Sequence, residues 1–355
     1  MDYKKILVTG GAGFVGSNIS ISLKKHYGNI EVIALDNLYR KGSELNIGRL
    51  KKNGVRFVKG DVRVKKDLEI KNVDLLIECS AEPSVMAGVD SSPEYLLETN
   101  LVGAINCFEF ARKNSSDVVF LSTSRVYPIQ KLNGLLYEET ETRFVLKDEQ
   151  KIAGASKNGI QESFPIEGVR SLYGTTKLSA ELILQEYIKL YRIRGVINRC
   201  GLIAGPWQMG KIDQGIIAYI MSKHVFNKPY AYIGFGGKGK QVRDVLHVDD
   251  LFDAITIQMQ DMDAYNGSVY NIGGGVDNSI SLVELTNLCH KITGKAPSVD
   301  HIKETRVGDI RIYISDTTLF SSTAKWNPKK SVNTVIEDVY VWFEENKSSL
   351  KEVFA

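Results

Sequence analysis

Residues 10–16 read Gly-Gly-Ala-Gly-Phe-Val-Gly and stand between a short apolar run at 4–9 and a helical pattern at 14–26. Glycines at 10, 13 and 16 let a strand turn sharply into a helix and leave the backbone bare at the turn. Bare N–H groups at a helix N-terminus, here opened by Phe14 and Val15, suit a pyrophosphate, because the dipole also favours its charge. The segment predicts a dinucleotide site on a strand–turn–helix unit.

The alternation continues. Short apolar runs at 31–35, 55–59, 73–78 and 117–122 show no polar alternation, as strands buried on both faces would not, and a further strand is expected at 195–200. Helical patterns separate most of them, including 93–113, with Pro93 in its first turn, and 173–191. This is the pattern of an α/β protein with a doubly wound parallel sheet of the Rossmann type. From 201 to 241 the chain turns irregular, rich in glycine, lysine and tyrosine. A helix at 249–262, a strand at 268–272 and a final helix at 328–347 follow, and Ser281 with Glu284 forms a capping box that opens a helix. The expected organisation is a dinucleotide-binding domain of residues 1–200 and 245–275, with a smaller α/β substrate-binding lobe of residues 201–244 and 276–355. A length of 355 residues suits two lobes better than one core.

A formal net charge of +3 is too small to argue for nucleic acid. No apolar run is long enough to cross a bilayer, and nothing before the first strand resembles a leader, so a cytoplasmic protein with no membrane partner is expected. The cysteines at 79, 107, 200 and 289 form no C-x-x-C pair and are expected as free thiols, and the histidines show no metal spacing.

Tyr173 and Lys177 lie one helical turn apart, on one face. A free tyrosine ionises near pH 10, roughly. A cation beneath it favours the phenolate and makes it a usable base nearer neutrality. Beside a nicotinamide, with Thr123 at the end of the strand at 117–122, this points to carbinol oxidation or carbonyl reduction. Asp36 ends the second strand, where a carboxylate accepts from the adenosine ribose and repels a 2′-phosphate. NAD is therefore expected over NADP, although Arg40 nearby softens the preference. Asp61, in Gly60-Asp61-Val62, ends the third strand within reach of an adenine amino group.

Taken together, residues 10–16, Asp36-Asn37, Gly60-Asp61-Val62, Ser122-Thr123-Ser124, Tyr173 with Lys177, Arg243-Asp244 and His247-Val248-Asp249-Asp250 resemble one family. It is that of the extended short-chain dehydrogenase/reductases acting on nucleotide-activated sugars. The resemblance implies that Thr123 bonds the reacting hydroxyl, Tyr173 exchanges its proton, and Lys177 holds the nicotinamide ribose. It implies a cofactor site lined by Gly10, Gly13, Phe14, Val15, Gly16, Asp36, Asn37, Arg40, Asp61, Val62, Ala81, Asn100 and Ser122, together with Tyr173 and Lys177. Arg243 and Arg306 would grip the substrate diphosphate. Pro83, Ser84, Arg125, Gln208, Gln214, Tyr232 and Gln241 would meet the rest of the nucleotide sugar. A homodimer built on the helices at 93–113 and 173–191 is implied as well.

Within that family, 4,6-dehydratases carry an Asp-Glu pair where Ser124-Arg125 stands here, so an epimerase is expected. The segments at 197–215 and 232–244 resemble the CDP-paratose 2-epimerases. The resulting expectation is NAD-dependent epimerisation at C2 of a nucleotide-activated hexose, a CDP-hexose favoured, through a transient ketone, for surface polysaccharide synthesis. A C4 epimerase of a UDP- or GDP-hexose is the alternative, and a catalytically silent dinucleotide sensor is a third reading. Two residues depart from relatives: Glu78 stands where histidine is common, and Leu202 where UDP-galactose 4-epimerases have asparagine. The stretch at 142–169 is long and polar and reads as a loop over the sugar.

Overall fold

The structure is a computed structural model that describes residues 3–354. It contains two compact units. The first comprises Met1–Val126, Leu172–Arg199 and Leu251–Tyr270, and the second Tyr127–Ser171, Cys200–Asp250 and Asn271–Ala355.

The first unit is built on strands β1 (Lys5–Thr9), β2 (Glu31–Asp36), β3 (Arg56–Lys59), β4 (Leu75–Glu78), β5 (Asp117–Thr123), β6 (Gly195–Cys200) and β7 (Val269–Ile272). Their order across the seven-stranded sheet is β7-β6-β5-β4-β1-β2-β3. Every pairing from β3 to β5 is parallel. The expected doubly wound Rossmann sheet is therefore present. Order reverses between β1 and β4, whose last residues, Thr9 and Glu78, lie side by side. Ligands of such sheets bind at that switch point, outside the carboxyl ends of the strands.

Helices α1 (Phe14–Tyr27), α2 (Leu45–Lys52), α3 (Glu94–Leu97), α4 (Gly103–Asn114), α5 (Leu172–Tyr191) and α6 (Val248–Gln260) connect or flank these strands. Leu7, Leu76, Phe108, Phe120, Leu184 and Ile197 are buried in one core cluster that joins the sheet to α4 and α5. Packing against helices explains why the strands lack alternation. The single helical pattern at 93–113 is broken in the structure by a π-helical turn, Glu98–Val102, between α3 and α4. Such turns are rare and concentrate at functional sites.

In the second unit, strand Val242–His247 pairs with Leu202–Ala204, Ser279–Ser281 and Ile312–Tyr313. The region that looked irregular contains a helix, Ile216–Val225, and the strand Tyr230–Ile233, paired with Val299–Ile302. Glycines crowd around both elements and obscured them by composition. The capping box forms as expected, with Ser281 and Glu284 bonded reciprocally. The stretch at 142–169 is not an open loop. It contributes to two short hairpins, Tyr137–Glu139 with Phe144–Leu146 and Ala155–Ser156 with Gly159–Ile160. Main-chain bonds from Phe144 to Lys240 (3.0 Å) and from Ile160 to Ile314 (2.8 Å) tie it down. Its polar side chains have local uses: Thr142 Oγ1 donates to Glu284 at 2.8 Å, and Arg143 pairs with the same carboxylate at 3.3 Å. Among the described residues, no helix is long and apolar enough to cross a membrane.

Candidate active site

The glycine turn works through close approach. Gly10 has φ +61°, open to glycine at little cost. A Cβ on Gly16 would lie 2.2 Å from the Gly10 carbonyl oxygen, so α1 touches the turn backbone to backbone. Gly13 precedes the helix in extended conformation, no side chain caps it, and the first turn holds no acidic residue. Phe14 and Val15 thus open a helix whose first N–H groups face no competing carboxylate of their own turn. Asp36 accepts from Ala12 N (3.0 Å) and Leu38 N (2.7 Å), which fixes its carboxylate beside the turn. Burial raises its pKa, and these main-chain bonds oppose the rise. The bare turn, the uncapped helix and the placed carboxylate fit a dinucleotide pyrophosphate and ribose.

Asn37 donates to Asp61 at 3.0 Å, and the Arg63 guanidinium holds the same carboxylate at 2.8 Å. Burial raises the Asp61 pKa, but the bonds from Arg63 and Asn37 outweigh it and bring the group down to about 2. Val62 is buried against Gly103 of α4. Arg40 belongs to the segment between β2 and α2, where its carbonyl anchors Ser43. Asn100 sits in the π-helical turn and clamps the main chain of Glu82 from both sides: Glu82 N reaches its Oδ1 at 2.7 Å, and its Nδ2 reaches Glu82 O at 3.0 Å. That clamp shapes the segment after β4 which carries Ala81, Pro83 and Ser84. Sequence reasoning missed Tyr95, which stacks on Tyr39 at 4.0 Å between ring centroids and lies under the Arg63 guanidinium.

Thr123 ends β5 and is buried; its hydroxyl oxygen accepts from Arg125 N at 3.2 Å in the 3-10 turn that follows. Helix α5 packs against both β5 and that turn. Its face carries Tyr173, Lys177 and Glu181 at successive turns. Tyr173 is half-buried, whereas Lys177 and Glu181 are fully buried. The Lys177 ammonium lies 4.1 Å from the centroid of Phe120 and 3.4 Å from Glu78 Oε2. Glu181 is held by Arg199 of β6 through contacts of 2.8 and 3.1 Å, and it accepts the hydroxyl of Ser122. The structure thus directs Ser122 to an internal carboxylate. Neither Glu181 nor Arg199 was expected from the sequence. The signal was available, because Glu181 follows Lys177 by four residues.

The remaining expected residues lie in the second unit. Gln208 and Gln241 donate their amide nitrogens to Ile203 O (2.9 Å) and Ile233 O (3.0 Å). Their Oε1 atoms, and that of Gln214, are buried without a hydrogen-bond partner among the described residues, so each offers an acceptor. Tyr232 is buried, bonds Thr286 at 2.7 Å and packs edge-on against Tyr230 and His301, so its ring serves packing. Arg243 donates to the carbonyls of Val242 and Ile310, each at 2.7 Å. Arg306 forks onto Asp309 at 2.9 and 3.0 Å. Among the described residues, no cluster of histidine, cysteine and carboxylate side chains could hold a metal.

Residues 6–273 match the NAD dependent epimerase/dehydratase family. The chain belongs to that family. Its cofactor is NAD. The chain is 31% identical to the CDP-paratose 2-epimerase of Salmonella typhi, over 95% of this chain and 98% of that one. It is 28% identical to a putative UDP-glucose 4-epimerase of Methanocaldococcus jannaschii, over 96% and 99% of the two chains. Its fold superimposes on the crystal structure of dTDP-glucose 4,6-dehydratase from Bacillus anthracis in complex with NAD. That comparison has a TM-score of 0.76 at 26% identity and covers 98% and 99% of the chains. Its relatives are sugar-nucleotide epimerases and dehydratases.

Proposed function

We propose that this family member epimerises a nucleotide-activated hexose, a CDP-hexose favoured, at C2 through a transient ketone. Thr123, Tyr173 and Lys177 lie on the adjoining β5 and α5, and that observation carries the reading. The glycine turn, Asp36 and Asp61 would hold NAD, which when bound accepts the carbinol hydride and returns it. Tyr173, as phenolate, takes the hydroxyl proton while Thr123 keeps the oxygen aligned by a hydrogen bond. Lys177 stabilises the phenolate. When the ketone presents its other face, the Tyr173 phenol gives the proton back to the new alkoxide. Ser124-Arg125 offers no acid–base pair to eliminate water, which favours epimerisation over dehydration. Likeness to the Salmonella 2-epimerase supports C2. Likeness to the Methanocaldococcus protein supports a C4 epimerase as the second reading.

In the second unit, the three glutamine acceptors with Arg243 and Arg306 would read the nucleotide sugar. Arg306 would then share its guanidinium between Asp309 and the diphosphate. The same reading places a homodimer in the cytoplasm, supplying a surface polysaccharide. Leu97, Val102, Leu182 and Leu190 stand exposed on α3, the π-helical turn and α5, as a helix-pairing face requires. Proton NMR in D2O, with CDP-, UDP- and GDP-hexoses in turn, tests the chemistry. Inversion seen in the H1–H2 coupling, with no deuterium in the sugar, is the expected result. Inversion at H4 replaces C2 with C4, and deuterium incorporation overturns the retained-hydride mechanism.

A further inference from the structure

Strand β4 is apolar until its last residue, Glu78, which is only 1% exposed. A carboxylate there needs a partner, because burying an unpaired charge is prohibitively costly. Register places it between Thr9 of β1 and Phe120 of β5. Its Oε1 accepts from Ser80 N at 2.9 Å, and its Oε2 meets the Lys177 ammonium at 3.4 Å. Lys177 is itself only 2% exposed. The two charges neutralise each other inside the first unit, and one of them, Lys177, is the residue that serves Tyr173.

We propose that Glu78 is a positioning residue for the proton transfer: its carboxylate keeps the Lys177 ammonium charged and seated against the face of Phe120. The inference rests on the reading that Lys177 serves Tyr173. Among the described residues, no other acidic side chain is paired with Lys177. Cys107 of α4 is a buried thiol, its pKa driven well above the ordinary value by burial and raised further by Glu78. On α5, Glu181 of the same face is matched by Arg199, and Tyr173 stands one turn before Lys177. Burial pushes the Glu78 carboxyl up, while Lys177 and the Ser80 amide oppose that rise, so the ion pair is mutually dependent.

The test is a lysine-selective carbon-13 and nitrogen-15 NMR titration of the full chain, with the Lys177 signal assigned from its loss in Lys177→Met. In Glu78→Gln, Lys177 should lose its proton at a pH about two or more units below wild type, as desolvated lysines do. Glu78→Asp, which keeps the charge at shorter reach, should fall between them; it also serves if Glu78→Gln does not fold. The alkaline limb of the kcat profile should move to lower pH in the same order, whereas a general loss of fold would lower kcat at every pH alike. An unmoved Lys177 titration overturns the counterion. A moved titration with an unmoved kcat limb overturns the positioning role. Absence of activity in wild type with every sugar counts against the proposed function instead, and the lysine titration still decides the ion pair.

Discussion

Gly16→Ala isolates the cradle that fits the cofactor to this chain. The added Cβ would sit 2.2 Å from the Gly10 oxygen, 2.8 Å from its carbonyl carbon and 2.9 Å from Gly11 Cα. All three are main-chain atoms, so no side chain can swing aside. Reaching an ordinary carbon–oxygen approach of about 3.3 Å requires a shift of about 1 Å in the turn or in α1. The Gly10 oxygen also accepts from Gly13 N at 2.9 Å, so the shift strains the bond that closes the turn. Overpacking of this kind costs about 1–3 kcal/mol. If that strain falls on the bound geometry, NAD affinity drops by about tenfold to a hundredfold, at about 1.4 kcal/mol per decade. Calorimetric titration of nucleotide-free protein with NAD measures this directly. Gly48→Ala is the control: in α2, nothing lies within 4 Å of its Cβ, so the change should leave affinity intact. It should also stabilise the helix by about 0.5–1 kcal/mol. A Gly16→Ala protein that binds NAD within about twofold of wild type would refute the close-approach argument.

Three further outcomes are expected. Tyr173→Phe should abolish turnover and leave NAD titration unchanged, because the lost hydroxyl carries the proton and not the cofactor; retained activity would rule out the proposed base. Asp61 has its pKa depressed from 3.8 to about 2, so its contribution to stability is present above about pH 4 and lost as pH falls through about 2. The stability gap between wild type and Asp61→Asn in urea unfolding should accordingly close over that window, and a constant gap would contradict the assignment. Arg199→Met should destabilise by about 3–5 kcal/mol by stranding the buried Glu181, while Glu181→Leu with Arg199→Met should recover much of that loss. Equal losses in the single and double variants would mean that the pair does not act as a unit.

What could be read in advance follows from how local each determinant is. The glycine turn and the strands β1, β2, β4 and β5 were legible because parallel strands buried on both faces are continuous apolar runs, and helices at the expected spacing separate them. The Ser281 cap was legible because both of its bonds are within one turn. The π-helical turn was not, since nothing in 93–113 marks the position at which a helix widens. Helix Ile216–Val225 was hidden because its apolar residues follow a glycine-rich loop, and the averaged composition lost its period. The hairpins at 137–160 were invisible for a different reason. Their anchors, Lys240, Glu284 and Ile314, lie more than seventy residues away in sequence, so the polar letters looked like solvent-facing loop.

The candidate site divides along the same line. Thr123, Tyr173 and Lys177 follow from residue types at fixed spacings, but their support does not. Glu78, Glu181 and Arg199 are charged letters, and charged letters are read as surface because most are exposed. Here all three are buried, and each is neutralised by a group on another element. Helix α5 is the common link: one face presents Tyr173, then a cation, then an anion, each matched from the sheet by Glu78 or Arg199 where a charge is present. A buried cation beneath the phenol would be unstable without that first match, and Ser122 would lack its acceptor without the second. The catalytic spacing on α5 therefore depends on carboxylates and a guanidinium whose purpose appears only when β4, β6 and α5 are assembled.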